Sequence, residues 1–152
     1  MKLPADVYRA LEAARAARVP AVLATVVRSV GSAPQDEGAK LIITSDGQAA
    51  GTVGGGAFEH KVLAIAREMF GAGAKTRLEE LNLSRDLGMC CGGVMTVFFE
   101  RVVLPARLVV LGAGHIAQPL VEFAAAVGFD TVVVDEREAW ADPSRFPAAS
   151  RV

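Results

Sequence analysis

Residues 107–138 read RLVVLGAGHIAQPLVEFAAAVGFDTVVVDERE. An apolar run meets a glycine turn, a helical stretch follows, Gly128 stops it, and a second valine-rich run begins. This order is strand, turn, helix, turn, strand: one βαβ unit, which pairs its two strands in parallel. Within it, Gly112-Ala113-Gly114-His115-Ile116-Ala117 has the form GxGxxA, an accepted variant of the dinucleotide fingerprint. Gly112 permits the tight turn, Gly114 lets the backbone approach a pyrophosphate, and the small Ala117 allows close packing of helix on strand. The helix N-terminus then offers unpaired N–H groups to phosphate. Asp135 falls about 20 residues on, where an acid holds ribose hydroxyls. Asp135 points to NAD, whereas Arg137 keeps NADP open because a nearby arginine can meet a 2′-phosphate.

Upstream, Pro105 marks a change of pattern. The reading is therefore α/β: an α+β N-terminal domain over residues 1–104, then the N-terminal βαβ part of a parallel-sheet, Rossmann-like nucleotide-binding domain over 105–152. A doubly wound sheet needs several more strands than one such unit supplies. Either the chain is a truncated product or another chain supplies the remaining strands. Strand edges left open predict a homodimer.

In the N-terminal part, residues 4–18 carry Val7, Leu11, Ala14 and Arg18 at helical spacing, with Pro4 and Asp6 suited to a first turn. VPAVLATVVRSVGSAP gives a buried strand ending at a glycine–serine–proline cluster. AKLIITSDGQAAGTVGGG reads as a hairpin around Asp46-Gly47. In AFEHKVLAIAREMF, the residues Phe58, Val62, Ile65 or Ala66, and Met69 form one apolar helix face. TRLEEL and GVMTVFFERVV read as strands.

Hydrophobic residues make up 52% of the 152 and charged residues 22%, which describes a folded rather than a disordered chain. A net charge of −1 gives no general attraction to nucleic acid or to acidic membranes. No apolar run is long enough to span a bilayer, and the charged N-terminus lacks the apolar core of a signal peptide. Two cysteines without a secretory signal point to the cytoplasm.

Two further motifs carry chemistry. Gly54-Gly55-Gly56 leads directly into a helix, and successive N–H groups in such a turn can form an anion-binding nest. The alternative is a tight strand-to-helix connection. Glu59 complements the helix dipole, and His60 beside it is either a ligand contact or a surface residue. His115 is likewise a loop residue, or a proton donor beside a nicotinamide. Cys90 and Cys91, the chain's only cysteines, are adjacent and precede Gly92 and Gly93. Their spacing does not match a structural zinc site, and a disulfide between neighbours is strained. They are either a reactive pair that the glycines make approachable, or two small hydrophobes packed at a strand start.

VLATVVRSVGSAPQDEGAKLIIT, GTVGGGAFEH, LGMCCGG and VVLGAGHIA…VVVDERE, in that order, resemble the XdhC/CoxI family of xanthine dehydrogenase accessory proteins. The resemblance implies a factor that binds the molybdenum cofactor, assists its sulfuration with a cysteine desulfurase, and delivers it to the apo-enzyme of a molybdenum hydroxylase. In that role Gly54, Gly55 and Gly56 would hold the cofactor phosphate, with Glu59, His60, Gly92 and Gly93 lining the same cleft. Cys90 or Cys91 would face the molybdenum or carry sulfur. Gln35 stands where a basic residue is expected after the proline. The competing functions are an NAD(P)-dependent oxidoreductase and a redox- or nucleotide-sensing regulator.

Overall fold

The structure is a computed structural model that describes residues 4–90 and 92–152, so Cys91 lies outside the described residues. The chain divides into two compact units, Met1–Leu104 and Pro105–Val152.

In the first unit, helix α1 (Pro4–Ala17) is followed by strands β1 (Ala21–Val30), β2 (Lys40–Thr44) and β3 (Ala49–Gly51). Helix α2 (Gly56–Gly71) and strands β4 (Thr76–Asn82) and β5 (Val94–Arg101) complete it. The strands form one antiparallel sheet in the order β3-β2-β1-β5-β4. The unbroken apolar runs of β1 and β2 have a simple cause: both faces of these strands are covered. Val22, Ala24, Val26, Leu41 and Ile43 pack on the α2 side with Met95, Val97 and Phe99 of β5. Ala21, Leu23 and Ile42 alternate onto the α1 side with Val7 and Ala14. The α2 face is the one its spacing predicts, with Phe58, Val62, Ile65, Ala66 and Met69 all buried. Burying each of the larger side chains, Phe58, Val62, Ile65 and Met69, stabilises the unit by about 1.5–3 kcal/mol. Strand β4 lies at an edge and alternates, leaving Leu78 63% exposed.

β1 does not pair with β5 in a single register. Val26 opposes Val97 and Arg28 opposes Thr96, so Val27 is an extra residue, a β-bulge. The hairpin turn at Asp46-Gly47 is present, with Gly47 at φ +90°. No helix among the described residues is long and apolar enough to cross a membrane.

The second unit pairs β6 (Arg107–Leu111) in parallel with β7 (Asp130–Val134), with α3 (Ala117–Ala126) between them in the chain. Val110, Ala113, Ala117, Val121, Val133 and Phe146 form its core. A third parallel strand position begins beside β7: Arg151 bridges Val132, the Ser150 N–H donates to the Thr131 carbonyl, and the Val133 N–H donates to the Arg151 carbonyl. The fold is thus mixed α/β, with the start of a Rossmann-like parallel sheet. Leu111, Ile116 and Phe123 remain 68–80% exposed on this unit.

Candidate functional site

The registers place three loops at one end of the five-stranded sheet. That end collects the C-termini of β1, β3 and β4 and the N-termini of β2 and β5, because Val30 opposes Val94, Asn82 opposes Val94, and Gly51 opposes Leu41. The loops are residues 31–39, 52–55 and 83–93, so the glycine-rich and cysteine-containing motifs converge although they lie far apart in the chain.

Loop 31–39 touches both of the others. A Cβ added to Gly93 would sit 2.8 Å from the Val30 carbonyl oxygen and closer still to that of Ser32. No side chain fits there, so Gly93 is a packing glycine that lets the cysteine loop lie on the Gly31–Ser32 turn. A Cβ on Gly54 would meet the Pro34 ring at 2.6 Å. Gly92, Gly55 and Gly56, by contrast, face open space. The Ser29 hydroxyl donates to the Gln35 carbonyl at 3.0 Å and holds the middle loop together. Gln35, half-buried, lies near Gly54 through its Cγ.

The triple glycine needs glycine. Gly54, Gly55 and Gly56 have φ of +139°, +72° and +58°, a run of left-handed backbone that other residues resist. The turn they make is an anion nest, and the chain supplies its own anion. Glu59 Oε2 accepts the Thr52 hydroxyl at 2.5 Å, the Val53 N–H at 3.2 Å and the Gly55 N–H at 3.3 Å. The Gly54 N–H donates to Thr52 Oγ1 at 3.3 Å. Glu59 therefore plays the part of a capping carboxylate one turn into α2. The N–H groups of Gly56, Ala57 and Phe58 beyond the nest have no acceptor among the described residues, as at any helix start. His60 is exposed on the same turn of α2.

Cys90 is a free, exposed thiol in loop 83–93. That loop is ordered from within. The Asn82 N–H donates to Asp86 Oδ2 at 2.8 Å, the Leu83 N–H to the Gly93 carbonyl and the Met89 N–H to the Leu83 carbonyl, both at 2.9 Å. Leu83 is buried and Met89 packs against the main core, so the thiol stands on an anchored loop. Among the described residues no group of three or more His, Cys, Asp or Glu is arranged to hold a metal ion.

In the second unit, the GxGxxA turn runs from Gly112, at φ +96°, to Ala117. The Gly112 N–H donates to the Val134 carbonyl at 2.7 Å, and the Ala117 N–H to the Gly114 carbonyl at 3.0 Å. Space is open around Gly112 and Gly114, and the N–H groups of Gly114 and His115 have no acceptor among the described residues. His115 is exposed and Ala117 buried against the sheet. Asp135 takes the Ala113 N–H at 2.7 Å and pairs with Arg137, whose guanidinium, followed by that N–H, holds its carboxyl far below the usual carboxylate range. Residues the sequence reading did not single out are Thr52, Pro34 and Trp140. Nothing in their type or spacing marks them; only the folded loops bring them to Glu59, Gly54 and Arg137.

Residues 14–81 match the profile of the XdhC and CoxI family, and residues 108–151 match that of the XdhC Rossmann domain. YqeB of Escherichia coli (strain K12) is 34% identical over 135 residues, which are 86% of this chain and 25% of that protein. The chain thus spans a quarter of that relative's length. A solved structure described as a xanthine dehydrogenase from Bacillus halodurans shares the fold, with a TM-score of 0.54 and 22% identity over 94% of this chain and 66% of that one. With both domain types matched in this order, the chain belongs to the XdhC and CoxI family.

Proposed function

We propose that the chain is an accessory factor for a molybdenum hydroxylase of the xanthine dehydrogenase or CO dehydrogenase type. In this reading it binds the molybdenum cofactor, assists its sulfuration together with a cysteine desulfurase, and passes it to the apo-enzyme. Family membership supports the accessory role. The observation that carries the cofactor assignment is the convergence of the Cys90 loop and the glycine turn on loop 31–39, through Gly93 against Ser32 and Gly54 against Pro34.

The residues fit such a cofactor in part. When bound, it would supply a soft, thiophilic metal and an anionic phosphate. The exposed Cys90 thiol, with open space at the neighbouring Gly92, suits the soft metal or a sulfur donor. The nest at Val53–Gly55 does not suit the phosphate, because Glu59 already fills it. The phosphate role passes to the free N–H groups of Gly56, Ala57 and Phe58, next to the exposed His60. Cys91 shares the thiol role by adjacency in the sequence. The second unit binds an NAD- or NADP-type dinucleotide through the Gly112–Ala117 turn, and two copies of the chain associate.

The test is anaerobic binding of molybdenum cofactor to the wild type, Cys90→Ala and Cys91→Ala, followed by activation of a target apo-hydroxylase. Loss of binding or activation in either variant supports the reading. Unchanged affinity and activation in both would sink the thiol assignment. The oxidoreductase alternative predicts steady hydride transfer from NADH or NADPH to a carbonyl substrate, which an accessory factor lacks.

A further inference from the structure

Asp135 stands one residue beyond β7, where a dinucleotide fold places the acid that accepts ribose hydroxyls. A carboxylate has about four lone-pair positions, and a ribose diol needs two of them. Here all are taken from within the chain. Oδ2 accepts the Ala113 N–H and Arg137 Nη2, both at 2.7 Å. Oδ1 accepts the Arg137 backbone N–H and Arg137 Nε, both at 2.9 Å. The Asp135 side chain is only 3% exposed.

Arg137 is the reverse case. Its side chain is 53% exposed, and its pairing with Asp135 spends one Nε–H and one Nη2–H. The remaining guanidinium N–H groups have no acceptor among the described residues. The guanidinium lies 4.5 Å from the centroid of the Trp140 ring, which limits its rotation. Arg145 lies 4.8 Å from the same ring and donates from Nη1 to the Trp140 carbonyl, adding a second positive charge. The neighbouring acids Glu136 and Glu138 are exposed, so water and salt screen their repulsion.

We propose that the adenosine subsite of this unit takes a 2′-phosphorylated ribose, as in NADP-type dinucleotides, in preference to one with a free 2′-hydroxyl. The proposal rests on the nucleotide-binding reading above. Arg137 is the binding group, presenting a planar fork of donors of the kind that grips phosphate. Asp135 is a positioning residue: it fixes Arg137 and, through Ala113, ties that arginine to the glycine turn that receives the pyrophosphate. Trp140 supports the guanidinium from the side.

Trp140 is the chain's single tryptophan, so its fluorescence reports on this subsite directly. The full chain is titrated with 2′,5′-ADP, with 5′-ADP and with inorganic phosphate, with calorimetry as a second readout. The expected result is 2′,5′-ADP binding about tenfold or more tighter than 5′-ADP, with phosphate alone far weaker. Arg137→Ala frees two lone pairs on Asp135 and inverts the preference towards 5′-ADP, while Arg137→Lys keeps a reduced preference for 2′,5′-ADP. Equal or tighter binding of 5′-ADP to the wild type overturns the 2′-phosphate proposal and leaves nucleotide binding standing. Binding of neither nucleotide overturns both. Phosphate alone binding as tightly as 2′,5′-ADP, or an unchanged preference in Arg137→Ala, also overturns the proposal.

Discussion

Removing the Glu59 carboxylate should loosen the glycine turn and the start of α2 together. Three donors converge on one oxygen, from the Thr52 hydroxyl and the Val53 and Gly55 amides. A hydrogen bond to a charged group contributes about 1.5–3 kcal/mol. The turn is partly open, so water can take over some of these donors, and the three contributions do not add in full. We therefore expect Glu59→Ala to cost about 2–3 kcal/mol, and the neutral Glu59→Gln about half as much, since charge-assisted bonds are roughly twice as strong as neutral ones. Hydrogen exchange read residue by residue is the right assay, because it samples the amides themselves. Protection at Val53 and Gly55 should fall by about 30- to 150-fold in Glu59→Ala, at about 1.4 kcal/mol per decade, while amides of β5 change only as far as global stability does. Urea unfolding followed by far-UV circular dichroism gives the matching global value. Unchanged exchange at both amides, with stability within about 0.5 kcal/mol of wild type, would refute the idea that this carboxylate organises the turn.

Further outcomes follow from the same geometry. Gly93→Ala forces a Cβ onto the Ser32 and Val30 carbonyls and should destabilise by about 2–3 kcal/mol in thermal unfolding, whereas Gly92→Ala, facing open space, should stay within about 0.5 kcal/mol. The Asp135 carboxyl has a depressed folded-state pKa, so its contribution is complete above its ordinary value of 3.8 and fades as pH falls below it. Trp140 fluorescence during acid titration should show the second unit weakening in that range, and Asp135→Asn should flatten that limb of the curve. Cys90 is exposed and should react with a maleimide in the native state, with peptide mapping locating the adduct; protection until unfolding would contradict its position.

The fold was readable because its determinants are local and periodic. The α2 face, the Asp46-Gly47 hairpin and the valine-rich strands each declare themselves within a short window. The GAGHIA turn does too, since a parallel pair joined by a helix needs that punctuation. What escaped the sequence depends on where side chains end up after folding. Three glycines before a helix suggest an anion nest, but whether the anion comes from outside depends on the reach of Glu59 back across its own first turn. An acid after β7 suggests a ribose acceptor, but its spare lone pairs depend on the rotamer of Arg137, two residues away. Gly93 looks like a means of exposing the thiols, and its backbone packing against Ser32 becomes visible only once β1 and β5 are paired.

That pairing passes through the bulge at Val27. Before it, Val22, Ala24 and Val26 point to the α2 side in steps of two, and beyond it Ser29 opposes the buried Met95. The bulge therefore absorbs the extra residue, and β1 still brings Val30 opposite Val94 and delivers Gly31 and Ser32 to the cysteine loop along a bent, more twisted path. Deleting Val27 would set Arg28 opposite Thr96 and Ser29 opposite Met95 in an unbroken ladder, so each later β1 residue would keep its face and partner while the bend and added twist of the bulge would be lost. The loop cluster is in this sense aimed by the bend of one strand as much as by chemistry. A variant lacking Val27 should fold its sheet in the same register and present loop 31–39 to the cysteine loop from a straighter, less twisted strand.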